Sequence, residues 1–215
     1  MSDNFYEVKY KTGKITSEDV LIAYKQNIFP MGNFEREIIW FTANPRTIIS
    51  LDENSSDLKI SRSLNQILKK NFFEIKIDNA FEAVIRLCSF RFSTWINEEI
   101  IKLYTELYRE GFAHSVEAYL DNKLAGGLYG VAQNGAFFGE SMFYLYPNAS
   151  KVCVVSLYEI LKKNKFILFD IQMMTPVFKS FGAIEIEKSE YLSLLKKAMR
   201  VKRVTTCFIT TPEFG

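Results

Sequence analysis

Little in this 215-residue sequence could ligate a metal or staple the chain covalently. It has one histidine, His114, and three cysteines, Cys88, Cys153 and Cys207, spaced too widely for any Cys-x-x-Cys pair. That spacing argues against the usual zinc ligand sets, and no metal site is expected. The cysteine usage fits a reducing compartment rather than a disulfide scaffold. A lone histidine with no nucleophile pattern beside it gives poor support to a Ser–His or Cys–His hydrolase. Charge of either sign is also short: 27 Lys and Arg against 25 Asp and Glu leave a net +2. The chain as a whole is not a strongly basic nucleic-acid binder, and local basic patches remain open to it. The opening Met1-Ser2-Asp3-Asn4 is polar and acidic, unlike a signal peptide. The longest apolar stretch, near residues 125–146, is broken by glycines, Asn134 and Glu140, so it cannot span a membrane as a helix. A cytoplasmic protein with no membrane partner is expected.

What is present is an ordinary globular composition, 48% hydrophobic and 24% charged, with aromatics at 15%. A chain of this length buries about 70% of its unfolded surface, enough for a core without staples. The first 45 residues read as a small separate unit. Thr16-Ser17-Glu18-Asp19 is a helix start, a hydroxyl cap followed by carboxylates at the positive end of the helix dipole. Val20, Leu21 and Tyr24 continue at helical spacing, and Phe29-Pro30-Met31-Gly32 ends the run. Further helices are expected over 61–70, 81–87, 98–108, 149–163, 176–181 and 189–199. Strands are expected over 73–77, 113–120, 124–132, 136–143, 166–170 and 204–209. Asn134-Gly135 predicts a type I′ hairpin, because both central positions must accept positive φ. Asn148 is placed to cap the long helix that follows.

Three strands, a helix and a further strand, expected parallel to a neighbour, make an α+β order. This order resembles the core of acetyl-CoA-using acyltransferases. Those enzymes cradle pyrophosphate in a glycine-rich turn between the third strand and the helix. Here that turn, Tyr144-Leu145-Tyr146-Pro147-Asn148-Ala149, has no glycine, and Pro147 removes an N–H donor. The acyl group must come from some other carrier.

A dense block narrows the choice: Gly127-Leu128-Tyr129-Gly130-Val131-Ala132-Gln133, then Phe137-Phe138-Gly139-Glu140-Ser141-Met142-Phe143, then Asn148-Ala149-Ser150-Lys151. Asp170-Ile171-Gln172 and Ser180-Phe181-Gly182-Ala183 follow. Upstream stand Ile28-Phe29-Pro30, Trp40, Pro45-Arg46, Ile60-Ser61-Arg62-Ser63, Thr94-Trp95-Ile96 and His114-Ser115-Val116-Glu117. In order and from about residue 15 to residue 191, this resembles the leucyl/phenylalanyl-tRNA–protein transferase family. The resemblance implies a small N-terminal domain, residues 1–45, and an acetyltransferase-like (GNAT-like) catalytic domain, residues 46–215. It implies transfer of Leu, Phe or Met from the 3′ aminoacyl-adenosine end of aminoacyl-tRNA to the N-terminal α-amino group of a protein. The acceptor would begin with Arg or Lys and be marked for degradation. No cofactor is implied, because the aminoacyl ester is already activated.

The resemblance also implies site residues. Asp170 and Gln172 would be catalytic: Asp170 would hydrogen-bond the side-chain NH2 of Gln172 and turn its carbonyl oxygen toward the incoming amine. In a strand the two share a face. A neutral amide is a very weak base, so orienting the amine is the physically safer role for Gln172. Leu128, Phe137, Gly139, Glu140, Leu157 and Leu161 would lie in or beside an apolar pocket for the aminoacyl side chain. Leu157 and Leu161, four apart, share one helix face. Alternation places Glu140 with Phe138 and Met142, where a carboxylate needs a partner. That partner is either the donor's α-amino group, the acceptor's cationic residue, or backbone N–H groups. Phe137 lies on the opposite face from Glu140, so a bulge is required if both line one pocket. Trp95 and Met31, the latter in place of a family tryptophan, would stack on the 3′ adenosine. Trp40-Phe41 replaces a double tryptophan, and Val177 replaces a histidine. Phosphate contacts would come from Lys69-Lys70, from Lys162, Lys163 and Lys165, or from the run between Lys196 and Arg203. Two other readings stay open: a related acyltransferase with another donor or acceptor, and a non-enzymatic tRNA-binding protein.

Overall fold

The computed structural model describes residues 5–52, 57–90 and 94–202. Two sheets organise them. The strands β1 (Phe5–Val8), β2 (Phe29–Gly32) and β3 (Ile38–Ala43) form an antiparallel sheet in the order β1-β3-β2. The remaining strands are β4 (Arg46–Ile49), β5 (Glu74–Ile77), β6 (Ala113–Leu120), β7 (Lys123–Gln133), β8 (Ala136–Tyr144), β9 (Leu168–Asp170) and β10 (Ile184–Ile186). They form one seven-stranded sheet in the order β10-β4-β9-β8-β7-β6-β5. The helices are α1 (Ser17–Lys25), α2 (Arg62–Lys69), α3 (Phe81–Ser89), α4 (Glu98–Arg109), α5 (Ala149–Lys163), α6 (Pro176–Phe181) and α7 (Lys188–Met199). The architecture is α+β, with one parallel pair among the described residues, β8 and β9. A parallel pair needs a crossover, and the 15-residue α5 supplies it.

Local chemistry accounts for most boundaries. Thr16 caps α1 in a reciprocal capping box with Asp19, and Ser61, Asn97 and Thr175 cap α2, α4 and α6 through their side chains. The expected cap at Asn148 is made differently. Asn148 adopts left-handed backbone at φ 69° and its side chain makes no capping hydrogen bond. The type I′ signature also moves. At the β7–β8 turn only Asn134 has positive φ, whereas at the β6–β7 turn Asp121 and Asn122 both do. Gly135 is needed for closeness instead: a Cβ there would sit 3.0 Å from the Ala198 carbonyl oxygen. The strands β1, β2, β3, β4 and β10 lie beyond those expected, residues 29–32 being expected only as the end of a helix and 38–41 only as an apolar run. The strand expected over 204–209 lies outside the described residues.

The large sheet is covered on both faces. Helices α1, α3, α4 and α7 pack on one face through Tyr24, Phe81, Ile100, Leu107 and Tyr191. Helices α2, α5 and α6 cover the other, with Leu157 and Leu161 of α5 fully buried. Adjacent strand residues go to opposite cores: Phe138 to the first, Phe137 to the second. The pairing of β8 with β9 stops at Phe138↔Asp170, while β8 runs on to Tyr144 alongside β7. Beyond that point the second half of β8 pairs with no strand on its β9 side among the described residues, and a cavity opens there. No helix among the described residues is long and apolar enough to cross a membrane.

Candidate active site

The cavity encloses about 750 Å³. One wall is β8 from Gly139 to Met142, with Leu128 and Tyr129 of β7 beside it. Opposite lies the chain that follows β9, from Ile171 to Met173, with Val177 and Phe178. Val154 and Leu157 of α5 and Phe169 complete the apolar lining, and Met31 and Trp95 form a rim, tied by a 2.8 Å hydrogen bond from the Gly32 N–H to the Trp95 carbonyl. The lining is apolar but for a few groups. Among the described residues it carries one carboxylate, Glu140, and one cation, Lys151.

A β-bulge presents Glu140. Tyr129 pairs with Ser141 and Gly130 with Gly139, so Glu140 is the extra residue of β8. Gly130 is indispensable to this geometry, since a Cβ there would collide with the Phe138 carbonyl oxygen. The bulge corrects the expected alternation. Glu140 shares the face of Phe138, but Met142 turns to the opposite core. The partners of Glu140 are neither backbone N–H groups nor empty space. Tyr24 of α1 donates to Oε1 at 2.6 Å, Tyr104 of α4 to Oε2 at 3.1 Å, and Gln172 Nε2 to Oε1 at 3.2 Å. The two tyrosine hydroxyls are themselves 2.7 Å apart. Burial pushes the Glu140 carboxyl up to about 7; the tyrosine hydrogen bonds pull it down, Asp170 pushes it up and Arg46 pulls it down. The same burial, with the Glu140 charge, drives the Tyr24 and Tyr104 hydroxyls well above the ordinary phenol range.

Asp170 lies beneath this layer, with no exposed surface. Arg46 Nε reaches its two carboxylate oxygens at 3.0 and 3.1 Å, and Arg46 Nη2 reaches Oδ2 at 2.8 Å. Tyr191 of α7 donates to Oδ2 at 2.6 Å, and the Gln172 backbone N–H to Oδ1 at 2.9 Å. The guanidinium lies 4.7 Å from the Phe29 ring centre and 4.8 Å from that of Tyr191. Burial alone would lower the Arg46 pKa, but Asp170 beside it raises it, so the cation is fixed. The Tyr191 hydroxyl is held well above its ordinary range, chiefly by burial.

This overturns the expected contact between Asp170 and the Gln172 side chain. Strand β9 ends at Asp170, and Gln172 takes left-handed backbone at φ 56°. Alternation therefore stops one residue too early for the pair to act as strand neighbours. The Gln172 backbone, not its amide NH2, meets Asp170; the NH2 goes to Glu140. Hydrogen bonds from Thr47 N–H to the Gln172 carbonyl and from Ile171 N–H to the Thr47 carbonyl, both 3.1 Å, tie the turn to β4.

Of the residues expected in the site, Met31, Trp95, Leu128, Gly139, Glu140, Leu157 and Gln172 line the cavity. Phe137, Leu161 and Asp170 do not: each is fully buried behind it. Trp40 is a core residue, its indole N–H donating to the Lys11 carbonyl at 2.9 Å. Cys153 is buried with its thiol pushed well up, a core group. Sequence reasoning missed Arg46, Tyr24, Tyr104 and Tyr191 as parts of the site. Only the need of two carboxylates for buried donors could have prompted a search for them. The basic clusters separate by end. Arg203 lies outside the described residues. Lys162, Lys163 and Lys165 at the end of α5, and Lys196, Lys197, Arg200 and Lys202 at the end of α7, belong to the elements that meet at the Gly135 end of β8, where Gly135 contacts Ala198 and Ile167. That is about 30 Å along the strand from Tyr144. Lys69-Lys70 instead neighbours Phe72 and Phe73, whose rings meet Tyr146 near the cavity mouth.

Comparison with known proteins agrees with the resemblance read from the motifs. A sequence model described as leucyl/phenylalanyl-tRNA protein transferase matches residues 53–196. A leucyl/phenylalanyl-tRNA–protein transferase of Rubrobacter xylanophilus is 44% identical over 191 residues, covering 88% of this chain and 98% of that protein. The same-named protein of Chlorobaculum tepidum is 45% identical over 193 residues, 87% of this chain and 97% of its own. That of Herpetosiphon aurantiacus is 42% identical over 189 residues, 88% and 97%.

Proposed function

The chain belongs to the leucyl/phenylalanyl-tRNA–protein transferase family, and from that membership we propose that it moves Leu, Phe or Met from aminoacyl-tRNA to the α-amino group of proteins that begin with Arg or Lys. It is an aminoacyltransferase, with aminoacyl-tRNA as donor and a protein as acceptor. In this reading the tagged proteins go on to degradation and the enzyme works in the cytoplasm. The fold is read as a small N-terminal domain, residues 1–45, followed by an acetyltransferase-like catalytic domain, residues 46–215.

One observation carries the reading: an apolar cavity with a carboxylate and an amide, Glu140 and Gln172, hydrogen-bonded to each other in its wall. An aminoacyl ester has the matching halves, an apolar side chain and a polar α-amino carbonyl. Leu128, Val154, Leu157 and Phe169 suit the side chain, and Trp95 and Met31 at the rim suit the adenosine. Lys69-Lys70, which precede Phe72 and Phe73 in the chain, are the basic pair assigned in this reading to phosphates of the same tRNA end. The chemistry asks chiefly for placement. An α-amino group titrates near pH 8, so a useful fraction is neutral at pH 7. Alignment alone supplies roughly 7–11 kcal/mol. The ester is the activated species, and the reaction requires no redox step. Asp170, out of contact with the cavity, acts as a positioning residue that sets the Gln172 turn.

The test is transfer of labelled leucine from Leu-tRNA to a peptide beginning with Arg, with an N-terminally blocked peptide beside it. Transfer to the free N-terminus alone, much reduced in Gln172→Ala, is expected. Folded protein that transfers nothing from Leu-, Phe- or Met-tRNA would overturn the reading.

A further inference from the structure

We propose that Glu140 is the proton acceptor of the transfer reaction, and that Asp170 is a positioning residue enclosed behind it. The inference rests on the aminoacyl-transfer reading above and deepens it. Its ground is the unequal treatment of the two carboxylates. Asp170 accepts from Arg46 through three contacts, from the Tyr191 hydroxyl and from the Gln172 backbone N–H, and it has no exposed surface. Each oxygen already accepts at least two hydrogen bonds, and the cation against it never deprotonates. It has neither a free lone pair nor a path to an amine. Glu140 is the opposite case. The bulge in β8 pushes it into the cavity, where among the described residues it is the one carboxylate of the lining.

The groups that face Glu140 make it a base that can be reset. Tyr24 from α1, Tyr104 from α4 and Gln172 after β9 hold its oxygens in place, and none is a permanent cation. Asp170 and Arg46 act on it from behind with opposite signs, and burial leaves it at about 7. A base is most effective with its pKa near the working pH. In the reaction the acceptor's neutral amine attacks the ester carbonyl carbon. The C–N bond forms, and the nitrogen's extra proton passes to Glu140. The ester C–O bond then breaks, and Glu140 returns that proton to the departing ribose oxygen. One proton leaves nitrogen and one reaches oxygen, so the enzyme ends as it began.

A rival role for Glu140 is to anchor the donor's α-ammonium group. Two experiments separate them. The first is the single-turnover rate of leucyl transfer to an Arg peptide from pH 5.5 to 9. The wild type is expected to show an inflection near 7 in addition to the acceptor amine's own near 8. Glu140→Gln is expected to lose the lower one and slow by about 10²- to 10³-fold. Asp170→Asn is expected to slow transfer while keeping an inflection, moved to lower pH because the Asp170 charge no longer pushes Glu140 up. The second uses tRNA charged with 4-methylpentanoate, which has leucine's side chain and no α-amino group. A proton acceptor still matters for this donor, so Glu140→Gln must again be slow relative to wild type. Equal rates with this donor, or an inflection near 7 that survives in Glu140→Gln, would overturn the proposal. Should Glu140→Gln fail to fold, Glu140→Asp and a carboxyl-carbon NMR titration of the wild type decide instead. A Glu140 carboxyl titrating below pH 5.5 refutes the assignment. Wild-type protein with no transfer at all would count against the transferase reading, and the NMR titration would still stand.

Discussion

Replacing Arg46 by methionine isolates the device that holds the centre of this protein. The substitution keeps length and volume and removes only the charge and its donors. Asp170 then retains the Tyr191 hydroxyl and the Gln172 N–H but loses every contact to a cation, in a place with no exposed surface. Removing one member of a buried ion pair costs about 3–5 kcal/mol, because the other charge is stranded. Against a total stability of about 5–15 kcal/mol, that is a fifth or more of what keeps the chain folded. Equilibrium urea unfolding at pH 7 measures it, read as a fall in midpoint at constant slope. The double variant Arg46→Met with Asp170→Asn removes the stranded charge, so it is expected to recover about 2 kcal/mol relative to the sum of the single effects. A loss below about 1 kcal/mol for Arg46→Met, or strict additivity in the double variant, would refute the account of the pair as a buried clamp.

Other consequences are measurable in the same way. The Glu140 carboxyl rises from an ordinary 4.5 to about 7 on folding, so its stabilising contribution is complete below pH 4.5 and is lost as pH rises through 7. The loss is up to roughly 3 kcal/mol, and Glu140→Gln is expected to flatten the fall in thermal stability between pH 5 and 8. Gly130→Ala is expected to cost about 1–3 kcal/mol and most of the transfer activity, since it forces apart the bulge that presents Glu140; unchanged activity would sink that role for the bulge. Leu157→Phe narrows the cavity and is expected to favour leucyl over phenylalanyl transfer by about tenfold, read as the ratio of kcat/KM values. Thr16→Ala breaks the capping box of α1 and is expected to lower stability by about 1 kcal/mol in urea unfolding.

Much of the scaffold was legible because its signals are local. The cap at Thr16, the strand over 113–120, the helix over 149–163 and the parallel strand after it follow from a capping hydroxyl and apolar periodicity, which act within a few residues. Short strands such as β1, β4 and β10 carry no such signal; three or four residues become strand only when a partner edge is present. The Asn134-Gly135 turn shows the limit of a dipeptide rule. Gly135 there answers to the approach of α7, a contact that no neighbouring residue announces.

The same division runs through the site. The family, the candidate residues Glu140, Asp170 and Gln172, and a turn without glycine that points the acyl source away from coenzyme A can all be read along the chain. Motif and composition are properties of the chain alone. Tertiary structure decided which carboxylate faces the cavity. Asp170 and Gln172, two residues apart, look like partners on paper, yet left-handed backbone at Gln172 separates their side chains. Arg46 lies 124 residues from Asp170 and Tyr24 lies 116 from Glu140, and only the folded chain brings them together. The physical reason is that a buried carboxylate is defined by what desolvates and donates to it. Those groups arrive from four different elements, α1, α4, β4 and α7, through packing that no local pattern encodes.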